Sequence, residues 1–361
     1  MDNWHHAGPF EPGNIKSEVK MDMHQSAERT RDTGTLHVFP LSLFLFTFFT
    51  LCLALPEIRA ATINARSAVV IDAETQEVLY AKNPYLKRAP ASTTKLVTAM
   101  VVLDYKGLQD IVTISRRASL VSPHKAGFRA GDRVTIQNLL YAALLDSAND
   151  AAVALAEATS GSEARFVRLM NKKAVAIGAK NTRFRNASGL PGKGQYTTAY
   201  DLSKIMRYAL RSPTLKKIIG TRFAEISTEK GKDIFLKNSN KLLWSEDDIV
   251  GGKTGYTRKA RHCFVGAAER NGDTVIFAIL GSPNRGNLWK EAEFLIKKGF
   301  RVIDKEEKPS VYVTKKSHTG RSLKKTSSHR SSNSSKKTRT YMKKKAKTKK
   351  VLKGRSREYK G

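Results

Sequence analysis

From Lys308 onward the chain is almost entirely Lys, Ser, Arg and Thr, ending KKTSSHRSSNSSKKTRTYMKKKAKTKKVLKGRSREYKG. A segment of that composition buries too little apolar surface to offset the entropy of ordering it. Disorder is expected there, and any fold must be built from what precedes it. Residues 304–361 carry 21 Lys+Arg against 4 Asp+Glu, which is +17 of the formal +33 of the 361-residue chain. The preceding body is only moderately basic.

At the other end, residues 36–55 (LHVFPLSLFLFTFFTLCLAL) form an apolar run, with Arg29 and Arg31 before it and Ala60 and Ala61 behind it. This is the pattern of a secretory signal cleaved after Ala60. About 20 apolar residues also suffice for an uncleaved anchor, so residues 36–60 read as a signal peptide or an anchor. Either reading exports the body to the periplasm or cell envelope, at the outer face of the cytoplasmic membrane. Cys52 follows Leu51 where a lipoprotein signal needs a small residue, which argues against lipidation. The polar extension 1–35 shows no periodicity. Cys52 and Cys263 are the only cysteines, which excludes a disulfide scaffold and a cysteine-rich zinc module. His124 and His262 are the only histidines between residues 61 and 303, too far apart for a local metal motif. No metal and no cofactor is expected.

The body, residues 61–303, opens with SAVVIDAETQEVLYA, two β-rich stretches around a polar turn. Helices are expected over 92–105, 136–145, 150–159 and 163–177, with Gly107, Gly161 and Gly178 as stops, and over 199–210. After Gly252 the pattern returns to strands, KTGYT and then HCFVGAAE and TVIFAIL, the last two joined through Asn271-Gly272, a strong hairpin cue. An amphipathic helix over 288–300 closes the body. Strands at both ends with helices between them predict a mixed α/β (α+β) fold, an antiparallel sheet flanked by helices with a helical subdomain.

Three short motifs stand in order within it: Ser92-Thr93-Thr94-Lys95, Ser147-Ala148-Asn149 and Lys253-Thr254-Gly255. Ser-x-x-Lys also occurs at Ser17, Ser122, Ser227, Ser322 and Ser334, but only the Ser92 copy begins a strongly apolar helix. A serine at a helix start is by default an N-cap. Against that stands the spacing: residues i and i+3 share a helix face, so Lys95 can bring its amine to the Ser92 hydroxyl. A serine beside a lysine makes an activated nucleophile without histidine. Such a lysine must be neutral, and burial together with a second cation, Lys253, would lower its pKa. Ser147 and Asn149 fall in the short break between two helices. Gly255, on an expected edge strand, leaves room for a substrate backbone to pair with that strand.

With these motifs in this order the sequence resembles the serine D-Ala-D-Ala carboxypeptidases among the low-molecular-mass penicillin-binding proteins, peptidase family S11. The resemblance runs through AVVIDAETQEVLYAKN, PASTTKLVTAM, LLDSANDAAVALAE, NASGLP, TTAYDLSKIMRYAL, GGKTGYT and WKEAEFLIKKGF. It implies a β-lactamase/penicillin-binding-protein-like fold and a set of roles. Ser92 would be the acylated nucleophile, Lys95 its base, and Ser147 a proton relay to the leaving group. Asn149 would hold substrate and lysine, Lys253 and Thr254 would receive the terminal carboxylate, and the N–H groups of Ser92 and Tyr256 would form the oxyanion hole. Peptidoglycan stem peptides are the implied substrate and β-lactams the implied covalent inhibitors.

Two features depart from that family. A carboxylate-binding arginine often precedes the Trp-Lys-Glu-Ala stretch, where this chain has Leu288; Arg285 is the candidate replacement. Only VYVT precedes the basic tail, where relatives often carry a further β-rich domain and an amphipathic membrane helix. The tail's charge suits an anionic envelope polymer or membrane surface; a nucleic-acid partner is not expected of an exported chain. A D,D-endopeptidase would use the same residues on cross-links, and an inactive wall-binding protein would rely on the tail alone. Residues 184–190 contain no carboxylate, which argues against a class A β-lactamase. Cys263, within Cys-Phe-Val on an expected strand, reads as a buried hydrophobe.

Overall fold

Two short β-rich stretches at the start of the body build the first hairpin: Ser67–Asp72 (β1) and Val78–Lys82 (β2) pair antiparallel. The Asp72 carboxylate accepts the N–H groups of Glu74 and Thr75 at 2.7 and 2.9 Å and closes the turn. Along β1 the side chains divide between two cores, Val69 and Ile71 into one and Ala68 and Val70 into the other. A strand covered on both faces is why its sequence is continuously apolar rather than alternating with polar residues. The molecule is described here by a computed structural model over residues 63–313. The expected leader at 36–60 and the tail beyond residue 313 lie outside the described residues.

A 3₁₀ turn, Ala91–Thr94, leads into the helix Lys95–Tyr105 (α1), which is buried from Lys95 to Val102. The short strand Ile111–Thr113 (β3) pairs with Arg133–Thr135 (β4), and Arg116–Leu120 (α2) lies between them. Helices Ile136–Leu144 (α3), Asn149–Ser160 (α4), Glu163–Ala176 (α5) and Ala199–Ala209 (α6) follow within two residues of the expected bounds. Thr135, Ser162 and Thr198 cap α3, α5 and α6 by accepting the N–H three residues on. Pro213–Gly220 (α7) and an antiparallel hairpin, Phe223–Ser227 (β5) with Asp233–Lys237 (β6), come next.

The chain then returns to the sheet with Ile249–Thr257 (β7), Arg261–Arg270 (β8) and Asp273–Ser282 (β9). Asn271 and Gly272, at φ of 52° and 92°, form the two-residue turn that sets Arg270 opposite Asp273. Helix Arg285–Ile303 (α8), longer at both ends than expected, packs Leu288, Ala292, Leu295, Ile296 and Phe300 against one face of the sheet. On the other face α6 and α7 lie against the strands, and the remaining helices from α1 to α5 pack among themselves in the same continuous core. Strand order is β10-β2-β1-β9-β8-β7, in which Ser310–Tyr312 (β10) runs parallel to β2. The expectation of disorder from Lys308 is corrected here. Val311 and Tyr312 offer the β-prone residues that an open sheet edge can recruit, and the Tyr312 ring lies 5.7 Å from that of Tyr80. Among the described residues no helix is long and apolar enough to cross a membrane.

Candidate active site

Ser92 lies inside the 3₁₀ turn, not at a helix cap, because the N-cap of α1 is Thr94 and no side chain bonds there. The default N-cap role is therefore replaced. The turn is strained at its entry, with Ala91 at φ +50°. Lys95, three residues on, brings Nζ to 3.1 Å from Ser92 Oγ, while the same amine donates to Asn149 Oδ1 at 2.7 Å and to the Ser188 carbonyl at 2.8 Å. A neutral amine has two N–H bonds and one lone pair. Asn149 and Ser188 take both N–H bonds, so the lone pair faces the Ser92 hydroxyl.

Electrostatics favour that neutral form. Lys95 is fully buried, and burial holds its pKa well below the ordinary 10.5; repulsion from Lys253 adds to this, against the pull of Asp150 and Asp146. Lys253 is likewise fully buried on β7, and burial lowers it to about 7. Its amine is 3.3 Å from the Thr254 carbonyl.

Ser92, Ser147, Asn149, Thr254, Gly255 and Tyr256 line one cavity of about 860 Å³. Lys95 and Lys253, the other two residues singled out in the sequence, lie beneath its wall. Ser147 projects from the break between α3 and α4 with φ of +67°, a left-handed conformation costly for a side-chain-bearing residue. Gly255 has a reason beyond the one expected. A Cβ there would meet the backbone nitrogen of Ser92 at 2.7 Å, so the glycine admits the nucleophile's own turn against edge strand β7. Thr254 Oγ1 is held by Ser239 Oγ at 2.7 Å.

The profile of the family described as D-alanyl-D-alanine carboxypeptidase, Peptidase_S11, matches residues 56–284. The chain belongs to that family. D-alanyl-D-alanine carboxypeptidase DacF of Bacillus subtilis is 35% identical over 224 residues, 61% of this chain and 58% of that protein. DacB2 of Mycobacterium tuberculosis is 34% identical over 243 residues, 66% of this chain and 83% of its own length. The solved Streptomyces K15 DD-transpeptidase superposes with a TM-score of 0.63 at 33% identity, covering 66% of this chain and 98% of that one.

Around the carboxypeptidase motifs, several groups were not singled out by the sequence. The Ser188 carbonyl reaches Lys95 from a loop fixed by Asn186, whose Oδ1 accepts the Gly189 N–H at 2.7 Å. Gly189 sits at φ +86°, and a Cβ there would lie 1.8 Å from the Ala91 carbonyl oxygen, so the loop can close over the Ser92 turn only with glycine. Its string NASGLP was legible, but which atom it delivers was not. Asp150 accepts the N–H groups of Ala126, Gly127 and Phe128 at 3.1, 3.0 and 3.3 Å, folding the 123–128 loop over the site. That loop places His124 on the cavity wall, 3.2 Å from the Asp146 carboxylate, which raises the imidazole pKa.

His262, given no role from sequence, also lines the cavity and stacks on Tyr256 with centroids 4.5 Å apart. Burial, then Arg285 and Arg261, lower its pKa. Arg285 and Leu288 both line the cavity from the start of α8, Leu288 being only 2% exposed and packed into the core behind it. Cys263 is buried, and burial pushes its thiol up to about 11, as befits a packing residue.

Proposed function

We propose that this chain is an exported serine D-Ala-D-Ala carboxypeptidase that removes the terminal D-Ala of peptidoglycan stem peptides through an acyl-enzyme on Ser92, and that penicillins acylate the same hydroxyl. The observation that carries the reading is the Lys95 amine, fully buried, depressed in pKa, and directed at Ser92 Oγ by Asn149 and Ser188.

In the acylation step Ser92 Oγ bonds to the carbonyl carbon of the penultimate D-Ala as its proton passes to Lys95. The C–N bond to the terminal D-Ala then breaks, and Ser147 relays a proton to the departing amine. Water attacks the resulting ester, returning the hydroxyl hydrogen to Ser92 and releasing the shortened peptide. The N–H groups of Ser92 and Tyr256 receive the carbonyl oxygen, a role the family resemblance implies; the packing of Gly255 directly against the Ser92 turn supports it. Thr254, with the Lys253 amine behind it and Arg285 lining the same cavity, receives the free terminal carboxylate. That carboxylate favours carboxypeptidase over endopeptidase action, because the bond cut in a cross-link has no free carboxylate beside it.

Intact-protein mass spectrometry after penicillin treatment tests the reading. One adduct is expected on the wild type and none on Ser92→Ala; an adduct surviving that substitution overturns it. Digestion of isolated muropeptides separates the two peptidase activities, with release of terminal D-Ala expected to outpace loss of dimers.

A further inference from the structure

The β5–β6 hairpin buries one face and leaves the other in solvent. Ile226 and Leu236 go into the core with Ala224 and Ile234 packed against it. On the outward face the register sets Phe223 opposite Lys237, Glu225 opposite Phe235, and Ser227 opposite Asp233. Phe235 is 68% exposed, Phe223 45% and Trp244, on the turn just after β6, 39%. These rings do not serve the core, yet they are ordered against one another. Phe223 and Phe235 stack at 5.5 Å with planes 28° apart, Trp244 meets Phe223 edge-on at 5.6 Å, and Lys237 Nζ lies 5.5 Å from the Trp244 ring. Trp244, Lys237 and Lys241 also line the catalytic cavity, so the aromatic face continues the cavity wall outward.

We propose that the outward face of this hairpin, with Trp244, is a docking ledge for the glycan strand that carries the stem peptides. The inference rests on the substrate class proposed above, since a stem peptide in this cavity is attached to a polymer of N-acetylated pyranoses. The C–H faces of such sugars pack on the electron-rich faces of aromatic rings. Their hydroxyls donate to carboxylates, which Glu225 and Asp233 supply on the same face. Glu225 and Asp233 offset Lys237 and Lys241, so the face carries no net positive charge to draw anionic headgroups, and inserting its rings into a membrane would desolvate the two carboxylates. A ledge that holds the strand raises the local concentration of its peptides at Ser92.

The test compares the full chain with Phe235→Ala, a substitution at an exposed position outside the cavity lining. Chitohexaose, an uncharged β-linked N-acetylglucosamine chain to which the basic tail has no electrostatic attraction, is titrated against tryptophan fluorescence. The wild type should bind, and the variant about tenfold more weakly. Release of D-Ala from intact sacculi should slow about three- to tenfold in the variant, while penicillin acylation and trimming of a soluble pentapeptide stay unchanged. Equal loss on the soluble peptide, no loss on sacculi, or a fall in binding to phosphatidylcholine vesicles without one for chitohexaose would each overturn the ledge. If the wild type trims no soluble pentapeptide, the proposed activity fails, while the chitohexaose titration still decides the ledge.

Discussion

A Cβ on Gly255 would stand 2.7 Å from the backbone nitrogen of Ser92. No real Cβ makes such a contact, so Gly255→Ala must push β7 and the nucleophile's turn apart. Displacements of about 1 Å at a reacting atom can cost about a hundredfold in rate. We expect penicillin acylation of Gly255→Ala to fall by about that factor while circular dichroism keeps the wild-type spectrum. Stopped-flow acylation read beside a thermal melt checks it, and a wild-type rate would mean that the turn tolerates the shift.

The acylation rate should carry the titration of Lys95. Only the neutral amine accepts the Ser92 proton, so acylation falls as pH drops through the depressed pKa of Lys95. Lys253→Met removes the repulsion that helps to depress it. The acidic limb of the variant should therefore move to higher pH, together with weaker binding of substrates that carry a terminal carboxylate. A pH series of acylation by a chromogenic β-lactam reads the limb; one that does not move would leave Lys253 without influence on Lys95.

The same substitution should stabilise the fold. Lys253 is buried with its pKa lowered from 10.5 to about 7, so between those values the unfolded chain binds a proton that the folded chain has released. Stability of the wild type then rises with pH across that window, by up to about 1.4 kcal/mol per pH unit from this group, and part of it is missing at neutral pH. Lys253→Met should gain about 1–4 kcal/mol at pH 7 and show a shallower rise of stability with pH, the part due to Lys95 remaining. Urea unfolding at pH 7 and pH 9 measures both effects, and a variant less stable than wild type at pH 7 would contradict them.

The basic tail is expected to attach the protein to an anionic envelope component and to add nothing to the chemistry. Because β10 belongs to the sheet, the informative truncation falls after Val313 and not before Lys308. Removing residues 314–361 should abolish salt-sensitive cosedimentation with isolated envelopes and leave penicillin acylation unchanged. Slower acylation of the truncated chain would tie the tail to the site.

What the sequence determined by itself is local. Helix geometry puts Lys95 one turn from Ser92 whatever surrounds them, Asn271-Gly272 makes its hairpin wherever the sheet lies, and the order of three motifs points to their family. Three-residue strands such as β3 and β10 carry too few residues to show a period, and they went unread. The family resemblance already implied that Asn149, 54 residues along, holds Lys95; the tertiary structure alone decided that the Ser188 carbonyl, 93 residues along the chain, takes its other N–H bond. It alone showed that Gly255 makes room for the Ser92 turn, that His124 and His262 share the cavity, and that the rings of Phe223, Phe235 and Trp244 form one face beside it. The reason is physical. Spacing along a helix or strand is set by bonded geometry within a few residues, whereas the direction of a lone pair depends on atoms brought together only when the sheet and helices pack.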